Sequence, residues 1–117
     1  MATIRDLVES IRQRAGVDAA IVIGRDGLGI DGRGGQGVDT EAIAAHAPAL
    51  IASAEALGDA CRRGALTAGV LEYPAGLAIV SVLSAEALLL VLARAEADLG
   101  GLLFELRRNR ERMAALV

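Results

Sequence analysis

The chain is 117 residues long, 54% hydrophobic, with a formal charge of −3. That length suits one domain spanning 1–117 with an ample core, and the apolar share excludes a disordered chain. The acidic balance gives no footing for nucleic acid, and a single cysteine, Cys61, rules out an intrachain disulfide and fits a reducing, cytoplasmic setting. All basic residues are Arg and the only aromatic residues are Tyr73 and Phe104, so Ala and Leu must fill the core and let elements approach closely.

Thr3-Ile4-Arg5-Asp6 matches a capping box, in which Thr caps and the acid three residues on reaches back. Ile4, Leu7, Val8, Ile11 and Ala15 then recur at helical spacing, and Gly16 is a helix stop. This charged, amphipathic start is not a secretory signal. Val17–Gly24 reads as a strand. Asp26-Gly27 favours a type I′ turn, Leu28–Asp31 returns as a shorter strand, and Gly32–Gly37 is too glycine-rich for anything but a loop.

Asp39 or Thr40 caps a long helix to about Arg63, stopped by Gly64, with Pro48 expected to kink or restart it. Three faces follow from the 3.6-residue period. Ile43, Ala47, Leu50, Ala54, Leu57 and Cys61 form a large apolar stripe for a sheet. Ala42, Ala45, Ala49, Ala52, Ala56 and Ala60 form a second stripe of methyl groups, which suggests a second packing partner. Glu41, Glu55, Asp59 and Arg62, with Arg63 beyond, form a charged strip.

Ala65–Tyr73, Gly76–Leu83 and Ala87–Arg94 are three apolar runs parted by Tyr73-Pro74-Ala75-Gly76 and Ser84-Ala85-Glu86, and read as a meander of strands. The last two runs do not alternate, so both faces of their sheet are covered. Membrane insertion of Gly76–Ala93 fails on Glu86 near its middle. Asp98 caps a last helix through Leu116, with Leu99, Leu102, Leu103, Leu106, Arg110 and Met113 inward and Arg107, Arg108, Arg110 and Arg112 near its end. The expected fold is α+β, in the order α-β-β-α-β-β-β-α. A five-stranded antiparallel sheet carries the long helix on one face and the two terminal helices on the other.

Little in the chain points to catalysis. Gly27-Leu28-Gly29-Ile30-Asp31-Gly32 fits G-x-G-x-x-G, but no βαβ unit surrounds it and the helix begins residues later, so a glycine-rich hairpin is the better reading. No phosphate loop is present. His46 and Cys61 lie turns apart on one helix, which excludes a Cys–His nucleophile and leaves a metal short of ligands. His46 reads as a helix packing edge and Cys61 as a small core residue. The Arg cluster of the last helix is broken by Glu105 and Glu111 and reads as a solvated helix end. No cofactor and no catalytic residue is expected.

The order of elements, the hairpin Ala19–Ile30, the Ala/Leu-rich long helix and the closing LAIVSVLS…ALLLVLARAEADLG segment resemble the Roadblock/dynein light chain family, in its MglB-like bacterial and archaeal branch, over about Ile4–Leu116. The resemblance implies a Roadblock/profilin-like homodimer in which long helices pair and third strands join two sheets. It also implies binding to, and regulation of, a small Ras-like GTPase of the MglA type as activator or scaffold, by reshaping the GTPase rather than lending an arginine. On this reading Ala42, Ala45, Ala49, Ala52, Ala56 and Ala60 form the dimer interface, and Glu41, Glu55, Asp59, Arg62 and Arg63 meet the partner. The alternatives are a small-molecule sensory domain or another scaffold without a GTPase partner, and a dinucleotide enzyme resting on Gly27–Gly32 alone.

Overall fold

The computed structural model describes residues 3–35 and 37–117. Its elements are α1 (Ile4–Arg12), β1 (Val17–Gly24), β2 (Gly29–Gly34), α2 (Thr40–Ala60), β3 (Ala68–Tyr73), β4 (Gly76–Val82), β5 (Ala87–Ala93) and α3 (Leu99–Ala114). The strands form one antiparallel sheet in the order β2-β1-β5-β4-β3. The α-β-β-α-β-β-β-α order and the layering agree with the reading of the sequence.

Each helix begins where a side chain takes up an orphan N–H. The Asp6 N–H donates to Thr3 Oγ1 at 3.2 Å and the Thr3 N–H to Asp6 Oδ2 at 2.9 Å, the reciprocal pair the spacing implied. Asp39 and Asp98 accept from Ala42 and Gly101. The central strands bury both faces. Val22, Ile79, Leu89 and Val91 pack under α1 and α3 with Val8, Leu102, Leu106 and Met113. Ile21, Ile23, Val80, Leu88 and Leu90 pack on the opposite side with Ala44, Ala47 and Ile51 of α2.

Several local expectations are corrected. The first hairpin is not a two-residue type I′ turn, which needs positive φ at two successive residues. The Gly24 N–H bonds the Leu28 carbonyl at 2.8 Å across a three-residue connection, Arg25-Asp26-Gly27. Gly27 sits at φ +89° and Asp26 does not have positive φ. The return strand does not stop at Asp31. It runs to Gly34, with Ile21 opposite Gly32 and Ala19 opposite Gly34. Gly34 serves here as a spacer, since a Cβ on it would stand only 3.0 Å from Val38. Of the expected loop only its end remains, and Gln36 within it lies outside the described residues. The third strand begins at Ala68 rather than Ala65.

Pro48 does not interrupt α2, which runs unbroken from Thr40 to Ala60. The ring packs over the hairpin turn at Gly27, where a Cβ would lie 3.4 Å from Pro48 Cγ. The sheet-facing stripe of α2 also differs. Ala44, Ala47 and Ile51 are buried, whereas Leu57 is 67% exposed and Leu50 and Cys61 are exposed too. Ala44, Ala47 and Ile51 lie on one face of the helix, and it is that face which turns to the strands. The larger Leu side chains point past the edge of that contact, and Cys61 is not a core residue.

Candidate interaction surface

α2 lies chiefly over β1 and β2, with Ala44, Ala47 and Ile51 reaching Leu88 and Leu90 of β5 and Val80 of β4. The outer part of that face, along β3 and the rest of β4, is left without a helix. A groove of about 320 Å³ runs along the gap, with Ile43, His46 and Leu50 of α2 on one wall and Leu71, Tyr73 and Leu92 of the sheet on the other. Leu57 extends the apolar wall further along the helix. β3, at the sheet edge beside the groove, has only its β4 side paired. Apolar surface and an unpaired strand edge therefore meet in one place, and each is costly to leave in water.

The structure distributes the residues singled out in the sequence as follows. Ala42, Ala45, Ala49, Ala52, Ala56 and Ala60 are all exposed. At 100° per residue they spread from the side opposite the sheet round to the flank remote from the groove. Ala42, Ala49 and Ala60 point away from the sheet and adjoin Leu50 and Leu57, and Ala45 and Ala52 turn towards that remote flank, where Ala45 lines the cleft beside the first hairpin. Glu41, Asp59, Arg62 and Arg63 are exposed on or just beyond α2, with Arg62 in the left-handed region at φ 57°. Glu55 stands apart from them: Arg25 of the first hairpin turn donates to its Oε1 at 2.9 Å and reaches Ser84 O at 3.5 Å. Through Arg25 that carboxylate ties two strand turns to the C-terminal third of α2. Nothing in the local spacing signals this tether, because Arg25 is remote in the chain.

His46 lines the groove as a packing-edge residue should. The glycine motif lines a shallow cleft of about 700 Å³ with Thr40 and Glu41 beside the start of α2. The N-terminal amide of Ala42 is already taken by Asp39, and Glu41 lines the space, so it suits no phosphate. Among the described residues no group of three or more His, Cys, Asp or Glu could hold a metal, and no helix is long and apolar enough to cross a membrane. Far from this surface, the Thr3 N–H, then its hydroxyl, hold the Asp6 carboxyl below its ordinary value.

Residues 3–93 match the family model of the Roadblock/LC7 domain. A Roadblock/LC7 domain from Streptomyces avermitilis superposes with a TM-score of 0.86 at 24% identity, covering 97% of each chain. Myxococcus xanthus MglB superposes with a TM-score of 0.88 at 14% identity, over 97% of this chain and 93% of that one. The gliding protein MglB of Thermus thermophilus gives 0.85 at 18%, over 97% and 87%. No curated protein matches the chain. At these identities the structural likenesses speak to the fold.

Proposed function

The chain belongs to the Roadblock/LC7 domain family, and we propose on that footing that it is a cytoplasmic, homodimeric interaction module that binds and regulates a small Ras-like GTPase of the MglA type. The fold and the family support the coarser statement, a regulatory protein-interaction module. The observation that carries the finer one is the half-covered sheet face. A second copy laid across the groove would bring its α2 against Ile43, Leu50 and Leu57 and set its β3 beside this one. One two-fold contact would thereby remove both the apolar wall and the free edge from water.

Within that arrangement Ala42, Ala49 and Ala60 lie in the seam. Ala45, Ala52 and Ala56 lie at its outer margin, next to Glu41 and Asp59. A smooth methyl surface edged by Glu41, Asp59, Arg62 and Arg63 suits a protein partner and offers nothing to a small molecule. The chain carries no phosphate cradle, so it would act on the partner's nucleotide cycle by shape, as activator or scaffold, and hydrolyse nothing itself. The test is capture from native lysate with the nucleotide state varied, alongside the mass of the purified protein by light scattering. A dimer that retains a GTPase in one nucleotide state in preference to the other is the expected result. A monomer at micromolar concentration, or equal retention in both states, would refute the proposal.

A further inference from the structure

The five-stranded sheet has two edges, β3 and β2, and they are built differently. We propose that Asp31 and Arg33 cap the outer backbone of β2, so that another strand can extend the sheet only at β3.

In an antiparallel ladder, backbone groups alternate between facing the partner strand and facing away. The Gly35 N–H donates to the Asp18 carbonyl at 3.0 Å, so 31, 33 and 35 face β1, and the N–H and C=O of Gly32 point outward. Both outward groups are occupied by neighbouring side chains. The Gly32 N–H donates to Asp31 Oδ1 at 2.8 Å. Arg33 Nη1 donates to the Gly32 carbonyl at 2.7 Å and to the same Asp31 oxygen at 3.0 Å. An incoming strand needs that donor and that acceptor together, and finds both satisfied.

α1 holds the cap in place. Arg33 Nε lies 3.3 Å from Glu9 and Asp31 Oδ2 lies 3.9 Å from Arg5 Nε. The register slips between Val22 and Ile23, leaving Ile30 without an opposite residue, and such a bulge further twists an edge away from pairing. The need for a cap is local: Leu28 and Ile30 are exposed beside this edge, and an unpaired, apolar edge invites strand addition. β3 has no such device. Among the described residues no side chain bonds the backbone of Ala68–Tyr73. The proposal is independent of the GTPase reading, since it compares the two edges and not any partner.

The test is the double variant Asp31→Ala/Arg33→Ala, followed by light scattering across concentration and by circular dichroism. A folded variant should gain assemblies of at least about twice the wild-type mass, one added edge contact per copy. Adding Gly32→Pro, which deletes the outward donor, should return the wild-type mass. Asp31→Asn keeps an acceptor for the Gly32 N–H and should leave the mass unchanged. A folded double variant that keeps the wild-type mass overturns the proposal. If it does not fold, amide exchange of the wild-type protein decides. Gly32 should exchange about tenfold more slowly than Gly34, whose outward N–H meets no side chain among the described residues. Equal rates overturn it.

Discussion

On the α1/α3 face of the sheet, Val8, Leu102, Leu106 and Met113 are between 1% and 4% exposed. On the α2 face, Leu50 and Leu57 stand in water above an open groove. Both faces are equally apolar along the strands, so the difference lies in the helices. Two helices span the width of one face, and a single helix displaced over β1 and β2 spans half of the other. A closed face stores stability in the protomer. A half-open one leaves part of its burial to be completed by something else.

Substitutions should separate the two faces. Leu106→Ala on the closed face removes a buried side chain and should cost about 2–5 kcal/mol, read as a lower denaturation midpoint with the mass of the protein unchanged. Leu50→Arg on the open face should barely alter protomer stability. If the groove is the seam, a cation enters it twice and the dissociation constant should rise by roughly a hundredfold, about 1.4 kcal/mol per protomer, read by analytical ultracentrifugation. Ala52→Arg sharpens that contrast. It lies at the outer margin, so it should weaken the dimer less than Leu50→Arg and the GTPase contact more. If Ala52→Arg is the more damaging to the dimer, the methyl stripe is the seam and the groove is not.

Arg25→Ala tests whether the tether to Glu55 fixes the position of α2 over its half of the sheet. The pair is 29% and 39% exposed, so screening limits its worth to about 0.5–1 kcal/mol. A double-mutant cycle with Glu55→Ala should return a coupling of that size, and a coupling of zero would show that packing alone sets the offset. The smallest effect belongs to Asp6, which caps α1. Its carboxyl titrates below the ordinary value when folded, so its contribution is present above the ordinary carboxyl range and is lost as pH falls through its own lower pKa. Asp6→Asn should remove that part of the acid sensitivity. An unchanged acid titration of stability would mean that the capping box has no such linkage.

Much of this is legible in the chain. The capping box at Thr3–Asp6, the two-sided apolarity of Leu77–Val80 and Leu88–Leu92, and the caps at Asp39 and Asp98 are local signals, and the structure follows them. The α2 stripe departs from its expected pattern because the buried face is turned round the helix from the expected one. Ala44, Ala47 and Ile51 share the face turned to the sheet, and Leu50 and Leu57 lie about 100° round the helix from it. β2 runs past Asp31 although glycine argues against a strand by propensity. At Gly34 the close approach of Val38 leaves little room for a side chain. Of the candidate interaction residues, the six alanines are all exposed. Glu55 is already engaged by a residue no spacing rule connects to it.

The strand order has a kinetic consequence. β1 pairs with β2, and β3, β4 and β5 pair in sequence, so each group is a local hairpin unit that forms rapidly. The seam between the units, β1 on β5, joins segments separated by β2, all of α2 and the first two strands of the meander. Closing so long a loop costs entropy before any contact across it is gained. The meeting of Ile21 with Leu90 is therefore expected to limit the rate at which the chain folds. Leu90→Ala should slow refolding, whereas Val70→Ala in the outer hairpin should chiefly speed unfolding. The opposite partition in a chevron would place the nucleus in the meander.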